Sequence, residues 1–442
     1  MSVGNPAISR LNTPLSLTRN FSWTLAGNVV YTGCQWAMLA VLAKLGTPGM
    51  VGQFVLSLAV TAPIIMFSNL NLRAVQATDA RHEYQFADYL GLRLVCTLLA
   101  VAAIIAVTFL SGYRGETAAA ILAVGAAKAF EATSDIYYGL LQRHERMDYI
   151  ARSMMVKGPL SLIALAMGSY MTGRIFWGVC AMALVWGLVL VLYDIPVAGI
   201  VLSGENARTG KREGDGSILA IMKPRWNRSV LGSLTWCSLP LGLVMMLISL
   251  NANIPRYFIV HYLGTEQLGI FAAMAYFMLA GNTIVGALGQ SASPVLARHF
   301  AQGQSKAFRG LLMKLVGIGA LLGAAGIFVT IVGGREVLSI LYTPQFAKRV
   351  DVFVWIMGAA AVSYIASVLG YGMTAARYFQ VQIPLMASVS LSSALACFWL
   401  IPGSGIFGAV RAMLIAVLVQ LTGSALINML ALYKLRKDVA VK

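Results

Sequence analysis

The sequence predicts an all-α, polytopic membrane protein with about twelve transmembrane helices in two parallel six-helix lobes around a central cavity. Of its 442 residues, 59% are hydrophobic and 11% are charged, and its mean hydropathy is +0.77. Soluble domains carry about 25% charged residues, so this composition indicates a membrane protein. Two further observations support the class, namely twelve apolar runs of helical length and an uneven distribution of Lys and Arg between the loops.

The apolar runs have roughly the 20-residue length with which one helix crosses a bilayer. In chain order they cover residues 20–43, 50–73, 90–111, 117–141, 154–172, 175–201, 231–259, 265–290, 311–333, 350–374, 383–401 and 405–432. We take the first run as an uncleaved span, because it is too long for the core of a signal peptide.

The distribution of Lys and Arg between the loops predicts the orientation of the chain in the membrane. Residues within a few positions of a span end are counted with the adjoining loop. On that count the amino end, the loops after the even-numbered spans and the carboxyl end hold 24 of the 33 Lys and Arg, the opposite loops hold seven, and Lys128 and Arg411 lie deeper inside spans. Positive residues favour the cytoplasmic side, so both termini are expected there. This rule and attraction to anionic lipids account for the net charge of +17 better than nucleic-acid binding, since the basic residues are scattered among apolar runs.

A Gly-, Ser- and charge-rich segment at the chain's midpoint predicts a six-span lobe at residues 1–202, a cytoplasmic linker at 203–229 and a second lobe at 230–442.

Three pairs of short sequence repeats support a duplication of one lobe. Leu45-Gly46-Thr47 before Gly52-Gln53-Phe54 recurs as Leu263-Gly264-Thr265 before Gly269-Ile270-Phe271. Ala80-Arg81-His82 recurs as Ala297-Arg298-His299, and Ile175-Phe176-Trp177-Gly178 is echoed by Ile406-Phe407-Gly408. Lobes with even numbers of spans insert the same way up, which predicts a parallel pair with a cleft between them.

The fourth span has its ionisable residues on one face. At about 100° per residue, Lys128, Glu131 and Asp135 form a narrow stripe that Tyr138 and Gln142 continue. One interpretation is an ion pair between Lys128 and Glu131 within the helix, with Asp135 bonded to a neighbouring helix. The other is a hydrated cavity for a polar substrate, because ionisable groups inside membranes mark such pathways. The two interpretations are compatible.

Other polar side chains also have two interpretations. Arg256 and Arg411, near the outer ends of spans 7 and 12, either line the cavity or reach the membrane surface. Arg73, at the cytoplasmic end of span 2, binds lipid phosphate or lies at the inner mouth of the pathway. Asp194, beside Pro196, is expected at the cytoplasmic interface.

The pattern does not favour an enzyme. The histidines lie in separate loops without metal-ligand spacing, the cysteines form no Cys-x-x-Cys, and a Gly-rich phosphate loop is lacking. We therefore predict no catalytic residues, metal or cofactor. A cleft with Lys and Arg suits an anionic substrate, including an amphiphile whose tail stays in the bilayer. Glu131 and Asp135 would bind a coupling proton or sodium ion, or hold the cations in place.

The sequence resembles the Wzx-type polysaccharide flippases of the multidrug/oligosaccharidyl-lipid/polysaccharide exporter superfamily. The resemblance lies in the two parallel halves, in LGT-x-x-x-x-GQF after span 1, in NLRAVQATD closing span 2 and in YYGLLQRHERMDYIARS leaving span 4.

The resemblance implies a bacterial inner-membrane protein that flips an undecaprenyl-pyrophosphate-linked oligosaccharide to the outer leaflet by alternating access. A cationic cavity is typical of such flippases, and Lys128, Arg256 and Arg411 fit it; a glycan polymerase and chain-length proteins are possible partners. The alternatives are an antiporter of the same fold for drugs or small molecules, which the acids Glu131 and Asp135 would suit, a transporter of the major facilitator type, and a structural membrane protein.

Overall fold

The computed structural model describes residues 15–79, 83–209, 223–376 and 378–440. Helices account for the regular structure in these ranges, where no strand occurs, so the all-α prediction is confirmed. Up to residue 209 the elements are α1 (Leu17–Leu45), α2 (Pro48–Ser68), α3 (Leu72–Thr78), α4 (Phe86–Leu110), α5 (Gly115–Arg143), α6 (Met147–Thr172), α7 (Ile175–Val189), a π-helical turn (Leu190–Asp194) and α8 (Ile195–Thr209). They are followed by α9 (Arg228–Ala275), α10 (Phe277–Ala301), α11 (Ser305–Leu341), α12 (Pro344–Ala347), α13 (Val350–Ala375) and α14 (Phe379–Ala440).

Two glycines break the longest helices. Gly264 in α9 has φ 85° and ψ 175°, and Gly405 in α14 has φ 57° and ψ −135°. Residues with a side chain rarely adopt these angles, whereas glycine does so readily. Each long helix is therefore two helices joined at a glycine. Both glycines lie at boundaries that the sequence predicts between consecutive spans.

Nine helices in the described ranges are long and apolar enough to cross a membrane. Two of the nine, at Arg228–Gly289 and Val381–Leu435, contain the glycine breaks. The chain is a multi-pass membrane protein, as predicted. The count of twelve spans and their arrangement as two parallel six-helix lobes stay predictions.

The chain divides into two compact units. The first comprises Met1–Gly46 and Ser57–Ser249, and the second comprises Thr47–Leu56 and Leu250–Lys442. The linker predicted at 203–229 lies within the sequence range of the first unit, and its residues 210–222 are outside the described ranges, as are residues 80–82 of the repeat. The predicted lobe boundaries stay a prediction.

The first unit is held together by small residues and aromatic rings. Gly27 of α1 faces Ala151 of α6 so closely that an added Cβ would lie 2.8 Å from the Ala151 Cα atom. Leu72, Tyr89 and Tyr137 join α3, α4 and α5 in one buried cluster. Small residues allow this close approach, which is how helices pack where no hydrophobic effect acts between them.

Several large apolar side chains of this unit are exposed, whereas several charged side chains are buried. Leu110 is 86% exposed and Met171 is 77% exposed, whereas Arg93 is 0% exposed. This is the reverse of a soluble protein, because lipid solvates apolar surface and penalises charge. The buried charged side chains of this unit are therefore the candidates for its functional site.

In the second unit, two of the repeated sequence segments pack against each other. Gly52 lies against the backbone at Thr265, and Gly269 lies against the backbone at Pro48. A Cβ on either glycine would clash with the carbonyl oxygen opposite it. The glycines that the Gly-x-Phe repeats share therefore mark a close helix crossing, in which the backbones touch.

We expect the Gly52→Ala substitution to destabilise the protein by about 1–3 kcal/mol, since the added methyl group overpacks this crossing. The melting temperature of the purified protein in detergent, followed by tryptophan fluorescence, measures the loss. Gly33→Ala is the matched control, because no described atom lies within 4 Å of a Cβ at that helical position. Equal melting temperatures for the two variants would contradict the prediction.

Candidate functional site

The first unit contains a cavity of about 530 Å³, within the range of roughly 300–1,000 Å³ found for ligand sites. Its walls come from α1, α2, α3, α5, α6 and the first part of α9. The lining residues are Tyr31, Ala62, Ile65, Met66, Asn69, Asn71, Arg73, Ala74, Lys128, Glu131, Ala132, Asp135, Tyr138, Gln142, Met154, Lys157 and Met245.

The lining carries three cations and two carboxylates. Arg73, Lys128 and Lys157 contribute three positive charges, and Glu131 and Asp135 contribute two negative charges. The difference, three minus two, leaves one positive charge. The cavity is therefore weakly cationic. Asparagine, tyrosine and glutamine add uncharged polar groups to the lining, and methionine, isoleucine and alanine form its apolar part.

The polar face of α5 lies along this cavity. All five residues of the predicted stripe, from Lys128 to Gln142, are in the lining. Lys128 Nζ lies 2.6 Å from Glu131 Oε2, and Tyr31 Oη of α1 donates a hydrogen bond of 2.8 Å to Glu131 Oε1. The intrahelical ion pair and the position beside the cavity, which the sequence left as compatible alternatives, therefore occur together.

Asp135 pairs with two arginines from different helices. Arg73 Nη1 of α3 lies 3.3 Å from Asp135 Oδ1, and Arg93 Nη2 of α4 lies 3.3 Å from Asp135 Oδ2. Arg73 Nε also donates to Gln142 Oε1 at 3.0 Å, and its guanidinium lies over the Tyr138 ring, 5.6 Å from the ring centroid. Arg73 is thus fixed at the cavity wall by residues of α5.

Arg93 is buried behind that wall. Its Nη1 donates to Asn69 Oδ1, at the break between α2 and α3, where Leu70 and Asn71 have φ values of 49° and 51°. Its Nε has no hydrogen-bond partner among the described residues. A buried arginine of this kind needs an anion, since an unpaired charge inside a protein costs several kcal/mol. Asp135 supplies that anion.

A second buried ion pair lies beside the cavity. Lys157 Nζ is 3.4 Å from Asp194 Oδ2, and it donates to Ser134 Oγ and Tyr138 Oη at 3.0 Å each. Ser153 Oγ lies 2.6 Å from Asp194 Oδ1 and 2.7 Å from Tyr138 Oη. These five residues form one hydrogen-bonded network that connects α5, α6 and the π-helical turn.

The backbone at the π-helical turn accounts for the position of Asp194. Pro196 follows two residues later, and proline has no N–H to donate to the helical ladder. A π-helical turn inserts an extra residue and rotates the side chains at its end, and such turns are frequent at functional sites. Asp194, expected at the interface, is instead 1% exposed and faces Lys157.

Six of the eight sequence-predicted site residues line the cavity, and two belong to the second unit. The six are Arg73, Lys128, Glu131, Asp135, Tyr138 and Gln142. In the second unit, half-buried Arg256 donates from Nη1 to Asn253 Oδ1 at 2.9 Å, and Arg411 is exposed. The role of the eight residues in substrate binding stays a prediction.

The sequence did not single out Arg93 and Lys157. Both lie in helices near their predicted cytoplasmic ends, where the positive-inside rule accounts for a cation. Helical spacing offers one signal that could have found Lys157: Ser153, Lys157 and Ser161 recur every four residues on one face of α6.

We expect Lys157→Met to destabilise the protein by about 3–5 kcal/mol, because it leaves Asp194 as a buried charge without its partner. The double variant Lys157→Met/Asp194→Asn should recover part of this loss, since both charges are then absent. Thermal unfolding in detergent measures both variants, with Lys348→Met at an exposed lysine as the control. A double variant less stable than Lys157→Met would contradict the prediction.

The profile of the family described as "Polysaccharide biosynthesis protein" matches residues 17–300. The Staphylococcus aureus protein "Capsular polysaccharide biosynthesis protein CapF" is 23% identical over 408 residues, which are 92% of this chain and 97% of that protein.

Two solved transporters have a similar fold. The structure described as "Lipid II flippase MurJ, inward closed conformation" has a TM-score of 0.68 and 11% identity, covering 95% of this chain and 91% of its own. An inward-facing multidrug resistance MATE family transporter of the MOP superfamily has a TM-score of 0.63 and 13% identity, covering 95% of this chain and 96% of its own. At these identities the likeness shows the fold alone. With the family profile covering well over half of its length, the chain belongs to the polysaccharide biosynthesis protein family.

Proposed function

We propose that this protein is a flippase that moves an undecaprenyl-pyrophosphate-linked oligosaccharide from the cytoplasmic to the outer leaflet of the bacterial inner membrane. The observation that carries the proposal is the polar, weakly cationic cavity inside a multi-pass member of a polysaccharide biosynthesis family. Family membership supports the glycan, and the fold shared with flippases and exporters supports transport.

The charges of the cavity suit the proposed substrate. A pyrophosphate group carries several oxygens that accept hydrogen bonds, and guanidinium and ammonium groups match them. Arg73 and Lys128 present such groups in the lining. The amide and hydroxyl groups of Gln142 and Tyr138 suit sugar hydroxyls. The polyprenyl tail would remain in the bilayer, where it is soluble.

We assign roles to the eight predicted residues on this basis. Arg73, Lys128, Arg256 and Arg411 are the proposed substrate-binding cations, and Tyr138 and Gln142 are polar contacts. Glu131 and Asp135 hold the cations or bind a coupling proton or sodium ion. Alternating access between two lobes at residues 1–202 and 230–442 would carry the head group across the membrane.

A multidrug or small-cation antiporter is the alternative, and the likeness to MATE structures is the observation that favours it. A cationic drug needs an available carboxylate in the cavity. Glu131 is already paired with Lys128, and Asp135 is already paired with Arg73 and Arg93. Each cation of the lining is paired as well, but Asp135 serves two arginines, so one positive charge is in excess. This excess makes the cavity a poorer site for a cation than for an anion, so the lipid-linked glycan is the better substrate.

The remaining parts of the proposal concern the cellular setting. We propose that both termini lie in the cytoplasm, and we assign no catalytic step to the protein. A glycan polymerase and chain-length proteins are the proposed partners, since they would act on the product at the outer face.

Deletion of the gene should cause the lipid-linked oligosaccharide to accumulate on the inner leaflet, because its synthesis continues while its export stops. Leaflet-resolved labelling of the glycan in intact cells and inverted vesicles measures the distribution. Expression of the wild-type chain should restore outer-leaflet material. An unchanged distribution in the deletion strain would reject the flippase function.

Lys128→Ala should reduce flipping about tenfold or more while membrane abundance stays near the wild-type level, because it removes one cavity cation. Arg256→Ala tests the second unit in the same assay. Lys348→Ala, at an exposed lysine outside the cavity lining, is the matched control. Lost abundance of both Lys128→Ala and Arg256→Ala would instead indicate structural roles.

A further inference from the structure

We propose that Arg93 is a positioning residue that keeps Arg73 available to a pyrophosphate group by balancing the charge of Asp135. The proposal rests on the proposed function and concerns how the cavity recognises its ligand. Arg93 contributes from behind the wall, since its side chain is 0% exposed, whereas the Arg73 side chain is 30% exposed.

The geometry divides the Asp135 carboxylate between the two arginines. Oδ1 lies 3.3 Å from Arg73 Nη1, and Oδ2 lies 3.3 Å from Arg93 Nη2. Arg73 therefore shares its counter-ion, and it presents the rest of its guanidinium to the cavity. A guanidinium has five N–H donors in a planar fork, so it can hold Asp135 and Gln142 and still donate to a phosphate oxygen.

The net charge of the triad formed by Arg73, Arg93 and Asp135 explains the role of Arg93. Two arginines and one carboxylate sum to one positive charge, 2 − 1, so the triad attracts an anion. Without Arg93 the remaining pair of Arg73 and Asp135 is neutral, and Asp135 competes alone for Arg73. One unit charge matters here because the charged atoms are in direct contact at 3.3 Å and Arg93 itself is fully buried.

A second contact ties Arg93 to the helix that carries Arg73. Arg93 Nη1 donates to Asn69, in the break that precedes α3, and Leu70 and Asn71 in that break have left-handed backbone angles. Such angles in residues other than glycine persist only where surrounding contacts hold them. Arg93 thus fixes both the charge balance of Asp135 and the start of the helix that positions Arg73.

Binding to the purified full-length protein tests the proposal. Native mass spectrometry would compare undecaprenyl pyrophosphate with undecaprenol, which lacks the charged group, and with inorganic pyrophosphate, which lacks the lipid. The variants are Arg93→Leu, Arg93→Lys, Asp135→Asn and Arg93→Leu/Asp135→Asn. Arg225→Leu is the control, because Arg225 is an exposed arginine of the same unit that bonds Gln85.

We expect Arg93→Leu to weaken binding of undecaprenyl pyrophosphate about tenfold, because the triad loses its excess charge. Arg93→Lys should retain most of the affinity, and Arg225→Leu should match the wild type. The double variant should bind more tightly than Arg93→Leu, since Arg73 then keeps a net positive charge. A purely structural role of Arg93 predicts instead that binding follows the melting temperature across these variants.

Two outcomes would overturn the proposed role of Arg93 without overturning the proposed flippase function. One is a double variant that binds as weakly as Arg93→Leu while the wild type selects the pyrophosphate lipid over undecaprenol. The other, which decides the matter if Arg93→Leu does not fold, is binding by the double variant about tenfold weaker than by the wild type, since the double variant leaves no buried charge unpaired and keeps one excess positive charge. Equal binding of undecaprenol and undecaprenyl pyrophosphate by the wild type overturns both proposals. The same variant pattern with inorganic pyrophosphate supports the triad as a site for the free anion.

Discussion

The pairing of one carboxylate, Asp135, with two arginines is the interaction on which the first unit depends. An ionised group in an apolar environment is costly unless it is paired, and the cost rises when one partner is removed. Arg93 comes from α4, Arg73 from α3 and Asp135 from α5. The carboxylate therefore joins three helices at one point, and the same contacts fix the polar wall of the cavity.

The other charges follow the same constraint. Lys128 pairs with Glu131, which also accepts a hydrogen bond from Tyr31 of α1, and Lys157 pairs with Asp194. Each cation of the lining thus has a carboxylate partner. When the buried Arg93 and Asp194 are counted with the lining, four cations and three carboxylates leave one positive charge, because Asp135 serves two arginines. The same pairs that allow these charges to be buried also occupy their carboxylates.

The sequence predicts the class of fold and most of the polar face of the cavity for clear physical reasons. Apolar length and helical spacing are local properties, so the spans and the stripe from Lys128 to Gln142 follow from the chain itself. The partners of that stripe are not local. Arg93 and Lys157 look like ordinary cations near helix ends, and the sequence alone does not show that they meet Asp135 and Asp194. The position of the Asp194 side chain also depends on a π-helical turn, which shifts the side-chain spacing away from that of a regular α-helix.

A ligand that enters this cavity would meet arginine and lysine that are already hydrogen-bonded, and this affects how it binds. An arginine without hydrogen-bond partners would have to be both desolvated and oriented when an anion binds. Arg73 is already held in a fixed orientation by Asp135 and Gln142. Binding then costs little side-chain entropy. The shared carboxylate also limits the affinity, because Asp135 repels the incoming anion while Arg93 offsets that repulsion. In the proposed flippase function the ligand has to be released on the far side, and one excess positive charge would allow that release more readily than a fully cationic cavity.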